Sequence, residues 1–361
     1  MFKDDVESAD GQMPLLVFVG GFLGAGKTTL IIKSAEMLRE KGLRVGVITN
    51  DQDAGLVDTF HSQSQNFPTS EVAGGCFCCR FSDLLDAADR LAASRPQVIF
   101  AEPVGSCVDL SATILQPLLA WHSEAYRLAP LTVLLDPADA TRLECGELHP
   151  DVEFLLHNQI AEADLLCLTK SDLGSGPPHL SFPIDFHLSA RSGAGVEAWI
   201  DEVLASSRVV GAHLLDVDYG RYARAEAALG WLNLHADLYL HTSASPSLVV
   251  GPLLDRLESR LTADGIEITH LKLFDKASSG WIKVSISSNG AEPLLDGDLL
   301  AESSRYHQLV VNLRALADPE VLRSVVLRTF EELGGQLHIR HLGAFRPAAP
   351  VPEHRFQGKV R

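Results

Sequence analysis

Between residue 14 and about residue 200, short apolar, β-branched runs alternate with stretches whose apolar positions recur at helical spacing. The runs are LLVFVGG, RVGVITND, QVIFAEP, LTVLLDP, DLLCLTK and DFHLSA. Their nearly unbroken hydrophobicity suits parallel strands covered by helices on both faces. The pattern predicts a doubly wound, mostly parallel α/β domain over 14–210, preceded by an acidic tail, 1–13. In such sheets ligands bind beyond the carboxyl ends of the strands, and the polar motifs taken up below all fall at those ends.

The pattern changes after about residue 233. LHADLYLHT, a helical stretch around LVVGPLLDRLESRLTADG, then IEITHLKLF, WIKVSISS and HQLVVNLRA, a second helix DPEVLRSVVLRTFEELGG, and QLHIRHLGAF predict β-α-β-β-β-α-β. This is a second, smaller α+β domain over 234–346, its helices on one sheet face. Residues 211–233 read as a linker, and the proline-rich, basic segment 347–361 as a mobile tail.

The chain has 361 residues, more than one hydrophobic core usually supports, so two domains are expected. Its 47 acidic against 30 basic residues give a formal charge of −17, which disfavours a nonspecific grip on nucleic acid or anionic lipid. No stretch approaches the roughly 18 uninterrupted apolar residues of a membrane span, and the expectation is a cytoplasmic protein. Six cysteines are too few for a disulfide scaffold, and three crowd into GGCFCC, a pattern of metal or thiol chemistry.

Gly21 to Thr28 fit Gly-x-x-x-x-Gly-Lys-[Ser/Thr] between a predicted strand and a predicted helix, the setting of a phosphate-binding loop. Gly21, Gly24, Ala25 and Gly26 let backbone N–H groups curl around phosphate. Lys27 neutralises the β- and γ-oxygens, Thr28 offers a hydroxyl to Mg²⁺, and Thr29 continues the helix start. Glu102, ending VIFAE, is a candidate Mg²⁺ ligand, direct or through water; the alternative is a helix cap. Gly105 allows close backbone approach to a γ-phosphate. At the base end, TKSD resembles the Asn-Lys-x-Asp guanine motif. Asp172 would accept both guanine N–H groups, Lys170 would lie along the base, and Thr169 stands where Asn is usual. Ser189 and Ala190 resemble the loop whose backbone reads the guanine carbonyl.

Asp51, Asp53 and Asp58 lie in NDQDAGLVDT, which contains no Lys or Arg to pair them. They suit Mg²⁺, a positioned water or a second metal, or form an ordinary solvated acidic loop. Cys76 and Cys78 share a side if the chain is extended, whereas Cys76 and Cys79 approach if it turns. Two or three thiolates then meet one soft ion, and Asp51 or Asp58 is a candidate further ligand. Such an incomplete set suits transfer better than structural binding. A thiol-redox switch or inert small residues are the alternatives. Cys107, Cys145 and Cys167 read as core fillers.

GGFLGAGKTT, GGCFCC, EPVGS, TKSD and LSA together resemble the CobW-like metallochaperone GTPases, relatives of the GTPases that help insert nickel into urease and hydrogenase. The resemblance spans about residues 14–200. It implies a Mg²⁺-dependent P-loop GTPase, cycling between GTP and GDP, that binds zinc, cobalt or nickel at Cys76, Cys78 and Cys79. It would deliver the metal to a client metalloprotein or a corrinoid enzyme, with a homodimer as one assembly open to it. Lys27, Asp51 and Glu102 would serve catalysis. The family's Asn-Glu-x-Gly reads NDQD here, with Asp51 in the Glu position, closer to the hydrogenase-maturation branch. The 14 histidines are scattered, which argues against metal storage. A redox- or metal-sensing regulatory GTPase is the second reading, and a P-loop kinase a weaker third.

Overall fold

The structure, a computed structural model, describes residues 13–51, 67–173 and 179–360. The side chain of Asp51, and all of Asp53 and Asp58, lie outside the described residues. The described residues fall into two compact units, one holding 13–51, 67–173, 179–218 and 350–360, the other 219–349.

The first unit contains strands β1 Leu15–Gly21, β2 Val45–Asp51, β3 Thr69–Ala73, β4 Val98–Glu102, β5 Arg127–Leu128, β6 Thr132–Leu135, β7 Leu165–Leu168 and β8 Phe186–His187. Its helices are α1 Lys27–Glu40, α2 Phe81–Leu91, α3 Gln116–Trp121, α4 Pro137–Cys145, α5 Pro150–Glu162 and α6 Val196–Ala205. The sheet runs β3-β2-β4-β1-β6-β7-β8, with β5 also on β1, and every pair is parallel. The six expected strands are present. β3 is an addition: TSEVA carries two polar residues and a serine, too weak an apolar run to be read as a strand beside its neighbours. β1 is central and wholly buried, so the loop after it opens at the middle of the carboxyl edge. Leu30, Ile31, Ala35 and Leu38 of α1 pack beneath it with Val17, Val19, Phe100 and Trp199.

The second unit contains α7 Tyr219–Ala228, β9 Gly230–Ala244, α8 Pro246–Ala263, β10 Glu267–Ala277, β11 Gly280–Ile286, β12 Leu294–Gly297, β13 Ser304–Leu316, α9 Pro319–Phe330 and β14 Gly335–Phe345. Its antiparallel sheet is ordered β12-β11-β10-β13-β9-β14. Residues alternate along each strand, and Leu232, Leu234, Leu238, Val311 and Leu313 enter one core with Leu257 and Leu261 of α8 and Val325 and Phe330 of α9. Both helices thus cover one face, as the period-two pattern requires. The stretch 211–233 is not a single linker: 219–228 is α7 and β9 begins at Gly230. β12 adds a short edge strand that its Gly- and Asp-bearing sequence hides. Residues 350–360, expected to be mobile, are hydrogen-bonded along the first unit.

Candidate nucleotide and metal site

At the phosphate end, Gly21, Gly24 and Gly26 take φ of 127°, 81° and 92°, a region that favours glycine. A Cβ on Gly21 would lie 2.3 Å from the Leu134 carbonyl oxygen. Gly26 caps α1 without a side-chain partner, which leaves the first-turn N–H groups as donors for an anion. Lys27 Nζ donates to the carbonyls of Gly21 and Phe22, at 3.0 and 3.1 Å, so the ammonium is folded over the loop where phosphate oxygens would replace those acceptors. The Thr28 hydroxyl donates to Glu102 Oε1 at 3.0 Å. These two oxygens, both buried, form the kind of hard pair Mg²⁺ prefers, and the donor set fits that ion. Ala25 is buried in the loop and Thr29 exposed on α1. At Gly105 a Cβ would stand 3.0 Å from Lys27 Nζ, so its backbone borders the cradle. Gln159 of α5 holds this segment by donating to the carbonyls of Gly105 and Cys107, at 3.0 and 2.9 Å.

At the base end, the two expected loops are joined: Ser171 N–H donates to the Leu188 carbonyl at 3.1 Å, one residue before Ser189. Thr169 is buried and its hydroxyl reaches the Leu135 carbonyl at 3.2 Å, which occupies the position without an amide. Lys170, with φ 51°, pairs with Asp136 at 2.5 Å, and that carboxylate also caps α4 at Ala138 N–H. Asp172 is exposed, Ala190 half-buried and Ser189 fully buried. An acceptor carboxylate thus faces solvent beside a half-buried lysine stem.

The thiols follow β3. Gly74 (φ 82°) turns the chain, and a reverse turn closes with Cys79 N–H on the Cys76 carbonyl at 3.0 Å. The turned alternative holds, and it gathers all three sulfurs: Cys76 to Cys78 2.8 Å, Cys76 to Cys79 3.3 Å, Cys78 to Cys79 3.8 Å. Tetrahedral zinc thiolates with bonds of about 2.3 Å set sulfurs about 3.8 Å apart, so a small spreading admits one ion. Phe77 between them is buried edge-on against Phe18 of β1, 6.3 Å between centroids, and anchors the turn in the core.

Two residues the sequence reading gave no role meet this cluster. Asn50, buried at the end of β2, donates to the carbonyls of Val72 (3.0 Å) and Gly75 (2.7 Å) and accepts from Phe77 N–H (2.9 Å). It clamps the end of β2 to the cysteine turn. Cys107 is not a mere filler, for its thiol hydrogen-bonds to Cys76. Hydrogen bonds from Cys107, then Cys78 and Cys79, hold the Cys76 thiol well below its usual range. Cys78 is driven up, first by Cys76, and Cys79 is raised to about 11, again first by Cys76. The three thiols are thus driven apart, Cys76 toward the thiolate and its two neighbours toward the thiol. Position after Gly105 was the available signal for Cys107; a polar residue near the end of an apolar strand was that for Asn50. Of the other cysteines, Cys167 is buried as expected and Cys145 is exposed, because it ends α4 on the outer turn.

A parallel sheet whose central strand passes through Gly-x-x-x-x-Gly-Lys-Thr into an uncapped helix is a P-loop nucleotide-binding fold. Residues 15–179, a little under half of the chain, match the CobW/HypB/UreG nucleotide-binding domain. Similar solved structures include a zinc(II)-bound YjiA GTPase from E. coli, 13% identical, with 90% of this chain and 99% of that chain covered and a TM-score of 0.34. The hydrogenase maturation factor HypB from Archaeoglobus fulgidus is 17% identical, covering 55% and 91%, with a TM-score of 0.38. HypB from Helicobacter pylori, in complex with nickel, is 16% identical, covering 54% and 86%, with a TM-score of 0.37. No curated protein matches the sequence. Among the described residues no helix is long and apolar enough to cross a membrane.

Proposed function

We propose that the chain is a GTP-hydrolysing metallochaperone whose nucleotide state governs how tightly Cys76, Cys78 and Cys79 hold a divalent transition ion for a client protein. The observation that carries this reading is the position of the three thiols: they lie at the same sheet edge as the phosphate loop, held to the end of β2 by Asn50 and joined to Thr28 through the segment from Glu102 to Cys107. In this reading Lys27 and the first-turn N–H groups of α1 hold the β- and γ-phosphates, and Thr28 and Glu102 hold Mg²⁺, which supplies charge neutralisation during phosphoryl transfer. Asp172 and the Ser189–Ala190 backbone select guanine. The sequence offers no obvious arginine positioned as a finger, so turnover without a partner is slow.

Zinc, cobalt and nickel are titrated into the protein in its GDP and non-hydrolysable GTP states, with and without Cys76→Ser and Cys79→Ser. One ion per chain, lost in both variants and bound with different affinity in the two nucleotide states, is the expected result. Binding that survives both substitutions overturns the site. Cysteine-dependent binding that ignores nucleotide removes delivery and leaves a regulatory GTPase, for which sulfurs 2.8 Å apart are placed to bridge under oxidant.

A further inference from the structure

Residues 350–360 have no regular secondary structure, so what holds them is their contacts with the first unit. At the cysteine turn, Val351 N–H donates to Cys79 Sγ at 3.2 Å, and Glu353 N–H donates to the Cys78 carbonyl at 2.9 Å. The Glu353 carboxylate accepts from the amide and the hydroxyl of Ser82, at 3.2 and 2.8 Å. His354 lies edge-on to Phe81 and Trp121, with centroids at 5.3 and 4.8 Å. Arg355 donates from Nε to Asp109 Oδ2 at 2.6 Å and also to the Leu215 carbonyl at 2.9 Å. Asp109 is 1% exposed and Arg355 24%, so removing the guanidinium takes this partner from a buried carboxylate. Phe356 N–H and Val360 N–H close the run on the Ala112 carbonyl (3.0 Å) and Gln116 Oε1 (2.6 Å).

The segment therefore covers the one thiol of the three that is not buried, Cys79, and is fastened by Arg355 to the stretch that continues from Gly105 and Cys107. We propose that Pro350–Val360 is a latch on the thiol cluster: seated, it shields Cys79 and slows exchange of whatever the cluster holds, and release of Arg355 from Asp109 opens it. The part concerning metal rests on the function proposed above; the shielding of the thiol does not.

The test uses full-length protein, the Arg355→Ala variant, and a chain ending at Ala349. In metal-free protein, alkylation by iodoacetamide is followed at each cysteine by peptide mass spectrometry, with exposed Cys145 as the internal rate standard and buried Cys167 reporting that the fold is intact. The Cys79 rate, relative to Cys145, should rise by at least about tenfold in both variants, the factor associated with losing a buried ion pair's share of docking. With zinc bound, extraction by a chromophoric chelator should accelerate similarly while stoichiometry stays the same. An unchanged Cys79 rate in Arg355→Ala with Cys167 still protected overturns the latch, whether or not zinc binds. Should the truncated chain expose Cys167, the Arg355→Ala and Glu353→Ala pair decides. A faster Cys79 in a protein that binds no zinc supports the latch and counts against the metallochaperone reading alone.

Discussion

Replacing Asn50 tests the join between the nucleotide edge and the cysteine turn. Its side chain makes three hydrogen bonds while 7% exposed. Asn50→Ala removes all three and leaves one N–H and two carbonyls to find water at the rim of a buried turn. At about 0.5–1.5 kcal/mol net per bond the loss is about 2–4 kcal/mol, a large fraction of an ordinary domain's stability. With a urea slope of about 2 kcal/mol/M, the midpoint of the first unit's transition falls by about 1–2 M. Because the two units can unfold separately, the transition is followed through alkylation of Cys167, which lies in β7 of the first unit.

Asn50→Asp is the sharper perturbation, because it keeps the acceptor for Phe77 N–H but sets a carboxylate against carbonyl oxygens at 2.7 and 3.0 Å. That carboxyl is stabilised folded only when protonated, so its folded pKa lies above its unfolded one. The folded state then binds more protons, and stability falls as pH rises between the two values. Asn50→Asp should therefore be less stable than Asn50→Ala at pH 8 and approach it as pH falls toward 5. Midpoints for both variants equal to the parent protein, or an Asp variant that outlasts the Ala variant at pH 8, refute the clamp.

Gly105→Ala places a methyl 3.0 Å from Lys27 Nζ and 2.9 Å from Leu23 Cδ2, and should weaken triphosphate binding more than diphosphate binding in a fluorescent-nucleotide titration; equal losses refute its place beside the γ-phosphate. Asp172→Asn should cost on the order of 1–3 kcal/mol of GTP affinity through an unmatched polar group, and equal ATP and GTP affinities in the parent protein would sink that assignment. Zinc loading at neutral pH should release protons, drawn first from Cys78 and Cys79, whose thiols are raised, rather than from Cys76, whose thiol is lowered; a weakly buffered indicator assay giving none refutes thiolate ligation by these residues. In the second unit, burial works to lower the His307 pKa, but Asp275 at 2.7 Å and the Ser304 carbonyl at 3.0 Å outweigh it and raise it. Its stabilising share is then full below about pH 6.5 and lost as pH rises through the raised value, so the urea-midpoint gap between parent and His307→Gln should narrow from pH 6 to 9; a constant gap contradicts the pair.

The parallel sheet was legible because five of its six expected strands are runs of buried residues that no helix period explains, the two-residue edge strand β8 being half-buried to exposed, and the phosphate loop because its spacing joins one such run to a helix. β3 was not, since Thr69, Ser70 and Glu71 give it no apolar run and its strand character comes from pairing with β2. The same limit hid Asn50 and Cys107. Each matters through a contact that crosses between chain segments, 22 to 31 residues apart in sequence, and spacing along one segment carries no trace of it. The tail misled for a related reason: proline content and charge describe what Pro350–Val360 lacks in itself, not the buried acceptor, Asp109, that Arg355 finds.

These two contacts also make the proposed coupling separable. Asn50 reaches the cysteine turn from the end of β2, while Cys107 reaches Cys76 from the loop after β4 in which Gly105 borders Lys27, and both segments begin at the edge where a γ-phosphate would sit. If both carry the influence of nucleotide on metal, Asn50→Ala and Gly105→Ala should each reduce the ratio of zinc affinities between the GTP-like and GDP states. Linkage requires the ratio of nucleotide affinities with and without zinc to fall by the same factor. The two residues lie on different segments at the phosphate edge, so a double variant should lose the product of the two factors if the routes are independent. A double variant no worse than either single one would instead place both residues on one route, with the cysteine turn moving as a single body.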